Sequence, residues 1–238
     1  WVGPSIKEVT VNLLADGNKI KSVTLNQKNN WQYTFTNLEK YKDGQEIQYT
    51  VEEVKVNGYT SEITGDIENG FVIKNTNTET IDIPVTKKWV GKEGKNAIVK
   101  LMVDGVAIGG ADLTKDKNWQ YTFKNLPKYS NLTGEKINYT IEEQVLEGYT
   151  SKITGDMEKG FVVTNTNIET RDISVTKKWV GKEGESAIIR LLANDIEIDS
   201  IKLTSNDKWK YTFSELPKYD KKTGQEIKYT IKEDSVNG

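Results

Sequence analysis

The sequence predicts an all-β chain of three tandem sandwich repeats, and three observations predict it. Long strings recur at a spacing of about 90 residues, apolar residues alternate with period two inside each copy, and no stretch sustains a helical period. Thr, Val, Ile, Tyr and Trp supply the side chains that suit strands.

The repeat comes first because it sets the organisation. VTKKWVGKEG occurs at Val85–Gly94 and again at Val175–Gly184. WQYTF at Trp31 recurs at Trp119, and WKYTF follows at Trp209. YTVEE at Tyr49 returns as YTIEE at Tyr139 and YTIKE at Tyr229, and the segment opening at Gly58 returns at Gly148. Residues 81–148 align on 171–238 without gaps and agree at 34 of 68 positions, a level that requires duplication of one folding unit. The first copy carries two fewer residues where the second has Tyr129–Glu135, so that stretch is expected to be a loop. The expected domains are 1–79, 80–169 and 170–238. Trp1 aligns with Trp89, so copy one has no counterpart of Ile81–Lys88. Gly238 aligns with Gly148, so copy three has no counterpart of Tyr149–Asn167. The outer two copies are therefore read as truncated and only the middle one as complete.

Within the middle copy the strands follow in order. Ile83, Val85, Lys87 and Trp89 alternate with Pro84, Thr86 and Lys88, and Ala97, Val99, Leu101 and Val103 alternate with Ile98, Lys100 and Met102. Asp104-Gly105 marks a two-residue hairpin turn. Trp119–Phe123, Ile137–Glu143, Tyr149–Thr154 and Gly160–Asn165 then follow between turn residues. About seven short strands in roughly 90 residues read as an Ig-like sandwich. The joints Thr76–Thr80 and Thr166–Thr170 are short and polar, so neighbouring repeats should sit end to end with limited freedom.

Composition removes several functions. Lys+Arg is 33 and Asp+Glu is 35, and the net charge of −2 provides no positive footprint for nucleic acid or an anionic membrane. No apolar run approaches the length of a membrane helix and no signal-peptide pattern opens the chain, so a soluble piece is expected, with any export signal or wall anchor outside it. The absence of Cys excludes disulfide and thiolate chemistry, and the absence of His takes away the commonest general base and metal ligand. Nothing in the sequence calls for a cofactor or a metal.

Three polar residues fall on strand faces where apolar ones are expected. Lys87 lies between Val85 and Trp89, Glu143 shares a face with Tyr139 and Ile141, and Asn165 shares a face with Phe161 and Val163. Position 142 is Glu in copy two but Lys232 in copy three, whereas Glu143 keeps its acid as Glu233. Buried charges left unpaired cost several kcal/mol. Burial favours the neutral form of an amine, and a neutral amine can attack a side-chain amide carbon while a carboxyl group moves the proton. The product would be an intramolecular isopeptide bond, made once. The bland alternative is a register one residue out, with Lys87 solvated and Lys88 turned inward.

The V-x-V-T-K-x-W opening, the N-W-x-Y-T-F and L-P-x-Y middle, the Y-T-I-x-E and G-Y segments and the closing T-N-T together resemble the CnaB (Cna protein B-type) family of Gram-positive surface domains. The resemblance covers essentially the whole chain. It implies reversed Ig-like sandwiches and a Lys87–Asn165 isopeptide bond with Glu143 as catalyst. Copy one has Glu53 and Asn75 but no such lysine, and copy three has Lys177 and Glu233 but no such asparagine, so neither closes its own bond here. The implied function is a stalk or spacer of a cell-wall-anchored adhesin at the cell surface. It contacts its neighbouring repeats, binds no nucleic acid, enters no membrane and turns over no substrate. A host matrix protein, collagen, would be bound by another region of the parent. The alternative is a module that binds a host protein itself through strand edges or loops.

Other features have simpler readings. Trp89, Trp119 and Trp209 could form a sugar platform but at strand spacing beside Tyr and Phe read as core pins. Asp156 and Glu158 could hold Ca²⁺, but GDMEKG reads as a hairpin turn. Gly91–Lys95 reads as a solvated loop.

Overall fold

The computed structural model describes residues 1–235; Gly238, which sets the expected end of copy three, lies outside them. Copy one contains β1 (Glu8–Ala15), β2 (Asn18–Asn26), β3 (Tyr41–Lys42), β4 (Gln45–Glu46), β5 (Tyr49–Glu53), β6 (Tyr59–Asp66) and β7 (Gly70–Asn77). Copy two contains β8 (Thr80–Val90), β9 (Asn96–Val103), β10 (Val106–Thr114), β11 (Gln120–Pro127), β12 (Tyr139–Glu143), β13 (Tyr149–Asp156) and β14 (Gly160–Asn167). Copy three contributes β15 (Thr170–Thr176), β16 (Ala187–Ala193), β17 (Ile196–Leu203), β18 (Lys210–Pro217) and β19 (Tyr229–Glu233). The helical segments among the described residues are single 3-10 turns, and none is long and apolar enough to cross a membrane.

The residues gather into two compact units, one of 1–82 with 123–138 and the other of 83–122 with 139 onward. One three-stranded sheet recurs in every copy, in the order β2-β1-β5, β10-β9-β12 and β17-β16-β19. Its hairpins turn on Asp16-Gly17, Asp104-Gly105 and Asn194-Asp195, with both residues of each at positive φ, the geometry whose twist matches paired strands. Asn and Asp tolerate that region, so copy three needs no glycine there. Alternation places Val9, Val11 and Leu13, then Ala97, Val99 and Leu101, then Ala187, Ile189 and Leu191 on the buried faces.

The second sheet differs between copies. In copy two it runs β11-β8-β14-β13; copy one shows the pair β6-β7 and copy three the pair β15-β18. WQYTF lies in β11 in copy two but is irregular from Gln32 to Phe35 in copy one, where no described strand pairs with it. Phe123 and Phe213 are accordingly buried while Phe35 is only half-buried. The same five residues thus take the conformation that their hydrogen-bond partners permit.

β8 and β14 are adjacent and parallel, with Phe161 opposite Val85, Val163 opposite Lys87 and Asn165 opposite Trp89. This pairing positions the site. Two residues, Thr78-Glu79 or Ile168-Glu169, separate consecutive copies. The stretch from Gly91 to Lys95, expected as a solvated loop, is partly tied down: Glu93 accepts from the Trp119 indole at 2.8 Å and Gly91 donates its backbone N–H to Lys221 at 3.1 Å. The fixed strand end before it and a partner far along the chain hold it, and local sequence carries no trace of that partner.

Candidate functional site

Lys87 on β8, Glu143 on β12 and Asn165 on β14 come together inside copy two. Lys87 is 3 % and Asn165 1 % exposed, and Lys88 is exposed, which fixes the register. Glu143 lies opposite Val99, and Lys87 opposite Val163, both of which are completely buried. Asn165 stands one step along β14 from Val163 on the same face, a diagonal that a lysine side chain spans.

Lys87 Nζ lies 2.9 Å from Glu143 Oε1, with the two side chains 0 % and 3 % exposed. The contact is close enough to pair charge yet off the hydrogen-bond direction. Lys87 Nζ, both oxygens of Glu143, and Oδ1 and Nδ2 of Asn165 all lack an aligned hydrogen bond. Five buried polar atoms on three residues of one domain without an aligned hydrogen bond are unusual, since buried polar groups are almost always satisfied. Burial pushes the Lys87 amine below the ordinary lysine range, and the nearby Glu143 carboxylate opposes that shift without cancelling it.

The outer copies present the two halves of this arrangement. In copy one, Asn75 Nδ2 donates to Glu53 Oε1 at 2.8 Å. In copy three, Lys177 Nζ lies 2.7 Å from Glu233 Oε1. The carboxylate at this register therefore touches the amide where the chain supplies the amide, and the amine where it supplies the amine. Lys177 and Glu233 are more exposed than their counterparts in copy two.

The sequence reads one neighbour of the site, Trp89, only as a core pin. The Trp89 ring centroid lies 4.4 Å from Lys87 Nζ, and Trp179 lies 4.3 Å from Lys177 Nζ. The signal available was the K-x-W spacing, which puts both side chains on one strand face. Trp89 also meets Trp119 edge-on at 5.2 Å, as Trp1 meets Trp31 and Trp179 meets Trp209. Trp209 is buried and the other members of these pairs are half-buried, so the rings close the core's rim. Asp156 is occupied as a turn cap, accepting backbone N–H groups of Glu158 and Lys159 at 2.9 and 2.8 Å.

Residues 3–76, 83–166 and 173–238 each match the Cna protein B-type domain. The chain belongs to that family. Its fold is all-β, a tandem of B-type sandwiches. The collagen adhesin of Staphylococcus aureus is 37 % identical over 251 aligned positions, which cover 98 % of this chain and 20 % of the adhesin. The chain thus spans about a fifth of that relative's length. The crystal structure of two B repeat units of the S. aureus collagen-binding protein is 35 % identical, covering 98 % of this chain and 64 % of that one, with a TM-score of 0.48. A single B repeat unit is 33 % identical over 68 % of this chain and 88 % of its own, with a TM-score of 0.35.

The depressed amine in this B-type site has a measurable consequence. An Asn165→Ala chain keeps Lys87 as a free amine. Unfolded lysine titrates near 10.5, so between the lowered folded value and 10.5 the unfolded state binds more protons. Stability in that window should rise with pH and fall as pH is lowered. Urea midpoints measured as pH is raised toward 10.5 should show this slope in Asn165→Ala and lose it in Lys87→Met/Asn165→Ala.

Proposed function

We propose that the chain is a load-bearing spacer segment of a Gram-positive cell-wall-anchored adhesin, locked by an autocatalytic isopeptide bond between Lys87 and Asn165. The observation that carries this reading is the carboxylate shared by three copies, seated on the amide in one, on the amine in another and on the amine beside a buried amide in the complete one. The reading takes domain limits of 1–79, 80–169 and 170–238 from the sequence repeat, with the crosslink confined to the middle domain. The segment would hold a separate collagen-binding region of the parent away from the cell surface, and the chain alone would show no saturable binding to collagen.

The chemistry balances without a cofactor. The neutral Lys87 amine attacks Asn165 Cγ, forming a C–N bond and placing negative charge on Oδ1. The Glu143 carboxyl group, beside the amine, takes a proton from the attacking nitrogen and delivers one to the departing Nδ2. The C–Nδ2 bond breaks, ammonia leaves, and an amide joins the two side chains. That product removes the buried amine, so the orphaned atoms and the reaction have one resolution. Glu143→Gln keeps the shape but cannot carry the proton. Ammonia release during refolding should slow by about 10²- to 10⁴-fold in that variant; an unchanged rate would exclude Glu143 from the proton transfer.

A further inference from the structure

A W-V-G turn meets the glycine of a loop from the following copy in each of the two compact units. In one, Gly91 donates its backbone N–H to the Lys221 carbonyl at 3.1 Å, and Lys92 Nζ donates to the Tyr219 hydroxyl at 3.0 Å while the Lys92 carbonyl accepts from Tyr149 at 3.0 Å. The two backbones meet so closely that a Cβ on Gly224 would stand 2.7 Å from the Gly91 carbonyl oxygen and 3.3 Å from its carbon. In the other unit, a Cβ on Gly134 would stand 3.1 Å from the Gly3 nitrogen, and one on Gly3 would stand 2.7 Å from Asn77 Cβ and 3.4 Å from the Tyr129 ring. A side chain at Gly224 or Gly134, the loop member of each pair, would push the surfaces apart.

The receiving loop is built alike in both places. It runs Tyr129-Ser-Asn-Leu-Thr-Gly134 and Tyr219-Asp-Lys-Lys-Thr-Gly224, closed by the bridges Tyr129–Lys136 and Tyr219–Glu226. The residue after each tyrosine caps the loop: Ser130 Oγ accepts from Leu132 and Thr133, and Asp220 Oδ1 from Lys222 and Thr223. A lysine before each tyrosine pairs with a glutamate of the short joint, Lys128 with Glu79 at 2.9 Å and Lys218 with Glu169 at 3.0 Å. In copy one the loop is two residues shorter and reaches its glycine, Gly44, three positions after Tyr41 rather than five.

We infer that this contact is a latch between consecutive repeats, in which the W-V-G turn of one copy seats on a Tyr-x-x-x-Thr-Gly loop of the next. The two-residue insertion creates the seat, so the partner that fits the turn is a B-type copy carrying the long loop. Copies two and three are receivers, and copy one, with the short loop, is not. The stiffness of the stalk is then written into loop length, repeat by repeat, and does not depend on the isopeptide reading.

The chain has no cysteine, so spin labels can be placed singly at Ile108→Cys and Ile198→Cys, exposed positions on β10 and β17. Pulsed dipolar spectroscopy on the full chain should give one narrow distance distribution. Gly224→Val should broaden it, and so should deletion of Lys221 and Lys222, which gives copy three the loop length of copy one. Gly105→Val imposes the same positive-φ strain where a Cβ meets nothing within 4 Å, and should leave the distribution narrow. Circular dichroism verifies that each variant is folded. A broad distribution in the parent chain, or a narrow one in both loop variants, would overturn the latch.

Discussion

Lys87→Ala should destabilise the middle domain by at least about 4–5 kcal/mol, the chain-entropy value of a crosslink that closes 79 residues. The substitution precludes the proposed bond and also leaves Glu143, whose side chain is 3 % exposed, in apolar surroundings without its partner. Breaking a buried pair by deleting one partner costs about 3–5 kcal/mol in its own right. The two contributions are not strictly additive, but both act in the same direction. Hydrogen exchange resolved to peptides of β9 and β12 would locate the loss, since it should fall on copy two. Equal protection in the parent and the variant would mean that no covalent link spans β8 and β14.

The second large effect is mechanical. β8 opens the middle domain and β14 closes it, and the two are parallel neighbours. Tension entering at Thr80 and leaving at Asn167 therefore shears one strand along the other and loads their hydrogen bonds together. With the bond in place the path runs from Thr80 to Lys87, across the amide to Asn165, and on to Asn167. The 79-residue ring carries none of it. Single-molecule stretching of the parent chain should then lack roughly 260–280 Å of contour length that Lys87→Ala releases, taking about 3.3–3.6 Å for each residue in the ring. Full extension of the middle domain in the parent would contradict a covalent force path.

Much of this architecture was legible from the residues. Period-two alternation places Lys87, Glu143 and Asn165 inward because each sits two positions from buried apolar neighbours such as Val85, Ile141 and Val163. The repeat shows which copy has all three residues. Asp104-Gly105 locates the hairpin because few residues accept its two positive φ angles. What sequence does not carry is partnership across long separations. WQYTF becomes a strand only where a β8 or β15 lies beside it, and the five residues are the same at Trp31 and Trp119. Gly91 looked like part of a charged loop because its partner, Lys221, is 130 positions away. Trp89 read as a core residue, and its place over the Lys87 amine depends on side-chain packing that alternation alone does not resolve.

The central claim is that Lys87 and Asn165 of this chain are joined. The intact mass of the purified protein tests it most directly, measured beside Lys87→Ala. The parent should fall below its calculated mass by one ammonia, about 17 Da, with a single loss because only the middle copy holds both reactants, and the variant should show its full calculated mass. A parent chain at full mass would contradict the account, leaving a tandem B-type sandwich in which Lys87 and Glu143 are a buried ion pair and nothing more.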